Sequence, residues 1–159
     1  MTVLRRLFRS IAILETIVLQ VLGAMLIGVV SLGVFCRYVL GTPLSWSYEL
    51  SILIFVWVTF LGAGLALKRG AHVRFDFLVR GMPEPWSRVV RTTGLAVVTA
   101  LSLCGVVLGG RVFVGTVTQR FQTIPLSRGW MYAGLPVGML CMTVHAIESL
   151  MDQRREGRA

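Results

Sequence analysis

The chain has 159 residues, of which 55% are hydrophobic and only 14% charged, and its formal net charge is +9. Apolar usage above that of ordinary globular domains is typical of membrane proteins and excludes most soluble enzymes. The basic residues gather at the ends of apolar stretches instead of covering one surface, so nucleic-acid binding is not indicated. Outside those stretches too few residues remain for a second folded domain, and we expect one membrane domain over residues 1–159.

Four uncharged apolar stretches occupy residues 16–36, 50–67, 92–110 and 129–147. The shortest would form a helix about 27 Å long, close to the roughly 30 Å thickness of the hydrocarbon core of a bilayer. Backbone N–H and C=O groups need internal partners in lipid, and a helix supplies them. The sequence therefore predicts an all-α integral membrane protein with four transmembrane helices, at about residues 14–36, 48–67, 91–112 and 130–150.

The first half of the chain opens with a short basic lead-in, residues 1–12, which we expect to lie along the inner membrane surface. The apolar run that follows is longer than that of a signal peptide, so we interpret it as an uncleaved first span. Gly41 and Pro43 separate it from span two. In span two, Glu49 falls in the first turn, and Trp57 lies near mid-membrane, where it packs against another helix or lipid.

The connection between spans two and three alternates apolar and charged side chains over residues 73–77. An isolated strand beside a bilayer would have no partner, so the pattern favours a short interfacial amphipathic helix. Pro83 and Pro85 end this segment, and Trp86 starts the helix that enters span three.

Spans three and four each carry two glycines four residues apart, which lets helix backbones approach closely. Such spacing serves either packing within the bundle or contact with a partner subunit. No repeat relates the two halves of the chain, which argues against an inverted-repeat transporter. The glycine pairs are Gly105 with Gly109 and Gly134 with Gly138.

Positive charge predicts the orientation of the chain. Twelve of the 16 Lys and Arg residues lie in the two tails and the connection between spans two and three. The positive-inside rule therefore places these segments, and both termini, in the cytoplasm.

Charged residues lie at the boundaries of the spans and not at their centres, whereas a transport site normally shows an intramembrane charge. We expect Glu15 and Glu148 to be solvated helix ends. Arg37 and Glu49 flank one outer loop with opposite charges, which suits either a mutual pair or contacts to a partner. The three cysteines have no metal-like spacing, and no catalytic or cofactor motif is present, so neither an enzyme nor a cofactor is indicated.

An ordered set of short motifs resembles the small permease subunits of tripartite ATP-independent periplasmic (TRAP) transporters, the DctQ-like family. The first-loop segment, residues 37–50, reads RYVLGTPLSWSYEL. The further pieces are FVW at 55–57, FLGA at 60–63, KRGAHV at 68–73, Asp76, GWMY at 129–132 and PVG at 136–138.

The resemblance implies a bacterial inner-membrane subunit that scaffolds and anchors a large permease, an elevator-type carrier driven by a sodium gradient. A periplasmic solute-binding protein would deliver a carboxylate substrate whose identity the small subunit does not reveal. Candidates for the partner interface are Arg37, Trp46, Glu49, Trp57, Lys68, His72, Asp76 and Trp130. Gln119 and Arg120 are candidates for docking the binding protein, with solvated loop residues as the alternative.

Two other functions compete with this one. A self-sufficient small homodimeric exporter would need an acid within a span, and Glu15 is the nearest candidate. A membrane redox subunit would need paired histidines, for which His72 and His145 are the only residues available.

Overall fold

A computed structural model describes residues 2–70 and 84–156 of the chain. This part forms four α-helices: α1 (Thr2–Tyr38), α2 (Ser45–Gly70), α3 (Glu84–Thr116) and α4 (Gly129–Glu156). Each helix contains a stretch long and apolar enough to cross a membrane, so the predicted all-α fold with four spans is confirmed. The predicted interfacial helix falls on residues 71–83 and lies outside the described residues.

The four helices define two ends of the molecule. We call the end with residues 39–44 and 117–128 the loop end, and the end where α1 begins and α4 finishes the terminal end. At the loop end α1 stops because Gly41 takes a left-handed conformation, with φ +67°, and Thr42 N–H returns to Cys36 C=O at 3.1 Å. Glycine adopts this conformation without steric cost.

The helices pack in an open row in the spatial order α1, α2, α4, α3. Three glycines bring neighbouring helices together. A Cβ added at Gly138 of α4 would lie 2.6 Å from the backbone of Phe60 in α2, and one at Gly105 of α3 would lie 2.8 Å from Met139 in α4. One at Gly109 would lie 3.0 Å from Leu135. The glycine pairs in spans three and four therefore serve packing within the chain.

The helix α1 lies at one edge of this row, and the most apolar 18-residue stretch within it contains no buried residue. One of its close contacts with α2 is at Gly33, where an added Cβ would lie 2.7 Å from Ser47 Oγ. The opposite face of α1 exposes apolar and small side chains with alternating spacings of four and three, namely Ile17, Val21, Ala24, Gly28, Ser31 and Phe35. This face is open to lipid or to another protein.

Candidate functional site: polar contacts around the fourth helix

The helix α4 receives polar contacts from each of the other three helices. From α2, the indole nitrogen of Trp57 donates to the backbone carbonyl of Trp130 at 2.9 Å. Trp57 was expected to pack against another helix or lipid, and this bond shows that it contacts another helix. From α3, the fully buried Ser102 accepts a hydrogen bond from Thr143 at 2.9 Å. Polar bonds between helices give a membrane bundle directional contacts that apolar packing alone lacks.

The contact from α1 to α4 involves ionisable groups. Glu15 Oε2 lies 2.8 Å from His145 Nε2, and the two residues are only 6% and 0% exposed. The other ring nitrogen of His145 faces Glu148 Oε2 at 3.6 Å, and Glu148 Oε2 pairs with Lys68 Nζ of α2 at 3.0 Å. We call Glu15, His145, Glu148 and Lys68 the terminal-end cluster. It joins α1, α2 and α4 through alternating acidic and basic groups.

The solvated position expected for Glu15 is therefore wrong. Its carboxylate points into the protein because an imidazole and a helix surface are available there, whereas lipid would leave the charge without a partner. Glu148 is half-buried and ion-paired. The sequence held a signal for this cluster: Glu15 directly precedes the first apolar stretch, and His145 is the one histidine inside an apolar stretch.

At the loop end, the carboxylate of Glu49 organises the segment that leads into α4. Its Oε1 accepts a hydrogen bond from Gln122 N–H at 2.9 Å. Its Oε2 accepts from Thr123 N–H at 2.8 Å, from the Thr123 hydroxyl and from Ile124 N–H at 3.2 Å. One charged side chain of α2 thus satisfies three backbone donors of the 117–128 loop, and charged acceptors make the stronger hydrogen bonds.

Arg37 does not share in this arrangement. The described residues contain no ion pair between Arg37 and Glu49, so the mutual pair considered for these charges is wrong. The guanidinium of Arg37 lies 5.9 Å from the ring centre of Tyr38 and is exposed. Its side chain borders a depression of about 330 Å³ between α1 and α2, together with Pro43 and Ser51.

The remaining predicted site residues are distributed over the surface. Trp46 is half-buried at the start of α2, and the ring of Trp130 is 57% exposed. Gln119 and Arg120 are exposed, and the loop around them is closed by the bond from Arg128 N–H to Gln119 C=O at 2.8 Å. His72 and Asp76 lie outside the described residues. The roles proposed for these side chains at partner surfaces stay predictions.

A second depression at the loop end, of about 470 Å³, lies between α2 and the 117–128 loop. Its wall includes the polar residues Glu49, Thr123 and Arg128 and the apolar residues Ile52 and Met131. In the part of the chain that the structure describes, no three His, Cys, Asp or Glu side chains are grouped in a way that could hold a metal ion.

Comparison with known proteins identifies the family. The family of tripartite ATP-independent periplasmic transporters, DctQ component, matches residues 26–156. The chain belongs to the DctQ family. The matched segment includes α2, the 117–128 loop and α4, whereas Glu15 precedes it.

Three relatives show what this DctQ-family chain is similar to. It is 29% identical over 150 residues to the sialic acid TRAP transporter small permease protein SiaQ of Vibrio cholerae, covering 94% of this chain and 86% of that protein. It is 28% identical over 120 residues to the C4-dicarboxylate TRAP transporter small permease protein DctQ of Rhodobacter capsulatus, covering 74% and 52%. It is 29% identical over 132 residues to the sialic acid TRAP transporter permease protein SiaT of Haemophilus influenzae, covering 83% and 21%.

The DctQ-family chain is therefore a small TRAP permease subunit, a multi-pass inner-membrane protein and a transporter component, not an enzyme. Polar contacts to α4 join the four spans, which agrees with a subunit that supports another membrane protein. The resemblance identified from the sequence motifs is confirmed.

Proposed function

We propose that this subunit scaffolds and anchors a large TRAP permease during ion-gradient-driven uptake of a carboxylate. The observation that carries the proposal is the open row of helices. Polar contacts join α1, α2 and α3 to α4, while α1 leaves an apolar face uncovered. A bundle fixed internally and open on one side suits a static partner of a moving carrier.

The relatives support a partner of this kind. The SiaT permease protein contains a segment similar to 83% of this chain, and that segment makes up 21% of it. A small-permease segment and a much longer permease segment thus occur in one polypeptide. For our chain, the equivalent partner is a large permease, and a periplasmic solute-binding protein completes the tripartite system.

The exposed face of α1 is the surface we assign to the large permease. It includes Ala24, Gly28 and Ser31, and small residues allow a partner helix to approach closely. At Gly28 an added Cβ meets nothing within 4 Å, so the chain itself leaves this site open. The α1 span is also the least buried of the four.

Co-purification with a matched control tests this assignment. Gly28→Leu should abolish elution of a large membrane protein in equal amount with the tagged subunit. Gly110→Leu on α3 is the control, because an added Cβ there also meets nothing within 4 Å. Loss in both variants, or in neither, would contradict the α1 surface. Elution of the wild-type chain as a homodimer alone would favour the exporter alternative over the whole proposal.

The coupling ion, the class of substrate and the orientation of the chain in the membrane are proposed as well. We assign sodium as the coupling ion, a carboxylate as the substrate class and the cytoplasm as the location of both termini. Uptake by the purified complex in vesicles should require an inward sodium gradient and should not run on a potassium gradient. A C-terminal reporter active only in the periplasm would contradict the orientation.

A further inference from the structure

The apolar pattern of α1 leaves its rotation about its own axis poorly determined. The side towards α2 includes Leu19 and Leu26, and the opposite side includes Ile17 and Phe35. Lipid chains are as apolar as these side chains, so exchanging one side for the other changes little apolar burial. Apolar side chains alone therefore do not determine which side of α1 faces the bundle.

Glu15 supplies the missing directional contact. It shares one side of α1 with Leu19, Leu22, Leu26, Val29, Gly33 and Cys36, which follow it with alternating spacings of four and three. This is the spacing of a seam between packed helices. A half-turn of α1 would move Glu15 from this seam into lipid, where an ionisable group is disfavoured.

The terminal-end cluster gives Glu15 a specific partner. His145 is completely buried, and both of its ring nitrogens face carboxylate oxygens, of Glu15 at 2.8 Å and of Glu148 at 3.6 Å. Only the contact to Glu15 is short enough for a hydrogen bond, and the ring nitrogen that faces Glu148 has no hydrogen-bond partner. Lys68 of α2 pairs with Glu148 at 3.0 Å, so the cluster also joins α2 to the helix that carries His145.

We propose that the contact between Glu15 and His145 is a rotational lock that determines which face of α1 the subunit presents to its surroundings. In this orientation Gly33 meets Ser47, and Ala24 and Gly28 point away from the bundle. Glu15 and His145 are thus positioning residues. The inference concerns contacts within the chain and stands whether or not a large permease binds α1.

The rotation of α1 can be measured by disulfide formation at the loop end, far from the contact between Glu15 and His145. In the full chain with Cys36, Cys104 and Cys141 replaced by alanine, we place cysteines at Gly33 and Ser47. An added Cβ at Gly33 lies 3.3 Å from Ser47 Cβ, near the separation of about 3.8 Å in disulfides. Parallel chains carry the α1 cysteine at Leu32 or Val34 instead of Gly33.

With Glu15 intact, the 33–47 pair should oxidise much faster than the 32–47 and 34–47 pairs. Glu15→Leu should slow the 33–47 pair about tenfold, as expected for loss of a buried hydrogen bond to a charged group, and should make the three pairs similar. Gln20→Leu is the matched control, because Gln20 is an exposed polar residue of the same helix. It should leave the rates unchanged.

An unchanged preference for the 33–47 pair in Glu15→Leu would overturn the lock. A second variant covers the case in which Glu15→Leu fails to accumulate in the membrane. The exchange Glu15→His with His145→Glu keeps an acid and an imidazole in contact, and Glu148→Gln in the same chain prevents two carboxylates from facing each other. This triple variant should restore both accumulation and fast 33–47 oxidation. A triple variant that accumulates no better than Glu15→Leu with Glu148→Gln would also overturn the proposal.

Discussion

The indole nitrogen of Trp57 donates a hydrogen bond to the backbone carbonyl of Trp130 at 2.9 Å. The bond joins the middle of α2 to the first turn of α4, between residues 73 positions apart in the sequence. Beneath it, Gly134 lets α4 approach closely, since an added Cβ there would lie 3.4 Å from the Trp57 ring. Together these contacts set the height of α4 relative to α2.

Trp57→Phe should lower the free energy of unfolding by about 1 kcal/mol, because a smaller aromatic ring remains while the indole N–H donor is lost. Unfolding by sodium dodecyl sulfate in mixed micelles measures the change. Trp86→Phe is the matched control at a ring that is 66% exposed, and it should leave stability nearly unchanged. Equal effects of the two substitutions would show that the bond to Trp130 contributes nothing.

Glu49→Gln should loosen the 117–128 loop, because the amide nitrogen of glutamine would confront a backbone N–H that now donates to a carboxylate oxygen. The loop should open more often, because four hydrogen bonds to one carboxylate are weakened at once. Limited trypsin digestion measures the loosening as faster cleavage after Arg120 and Arg128. Gln119→Ala serves as control. If Glu49→Gln is cleaved no faster than Gln119→Ala, the role of Glu49 is contradicted.

Gly138→Ala should separate α2 from α4. The new methyl group would fall 2.6 Å from the backbone of Phe60, which cannot yield as a flexible side chain does. Overpacking of this kind costs roughly 1–3 kcal/mol. The melting temperature in detergent should fall accordingly, whereas Gly110→Ala, where nothing lies within 4 Å, should not lower it in the same way.

Ser102→Ala should weaken the bond between α3 and α4 by about 0.6 kcal/mol, the typical size of a hydrogen bond between membrane helices. The hydroxyl of Thr143 keeps a second acceptor, the Met139 carbonyl at 2.8 Å, so the loss stays small. A double-mutant cycle with Thr143→Val isolates the pair. A coupling energy near zero would mean that the contact adds no stability.

The sequence alone gave a reliable account of features that depend on local physics. Apolar length predicted all four helices, but the expected start of the third helix at Trp86 is two residues late, since α3 begins at Glu84 and Pro85 fits in its first turn. The ordered motifs also identified the family, since they need only residue types at fixed spacing. Glycine spacing predicted close packing, although it left open whether the neighbour was internal.

The partners of the polar groups were harder to predict. Glu49 was recognised as notable, and either Arg37 or a partner protein was expected to bind it, but the carboxylate binds the backbone of the 117–128 loop. Backbone N–H groups are the same in every residue, so no side-chain pattern could reveal them as donors. Glu15 was misassigned for a related reason, because its partner His145 lies 130 positions away.

The sequence by itself determined that this protein is a four-span membrane subunit, because the length and apolarity of each helix follow from local residue types and the thickness of the bilayer. Only the tertiary structure decided the row order α1, α2, α4, α3, the contacts that join each helix to α4, and the face that α1 leaves open. The physical reason is that lipid and protein interiors are equally apolar. Helix order and rotation therefore depend on close packing at glycines and on a few polar pairs between residues far apart in the chain.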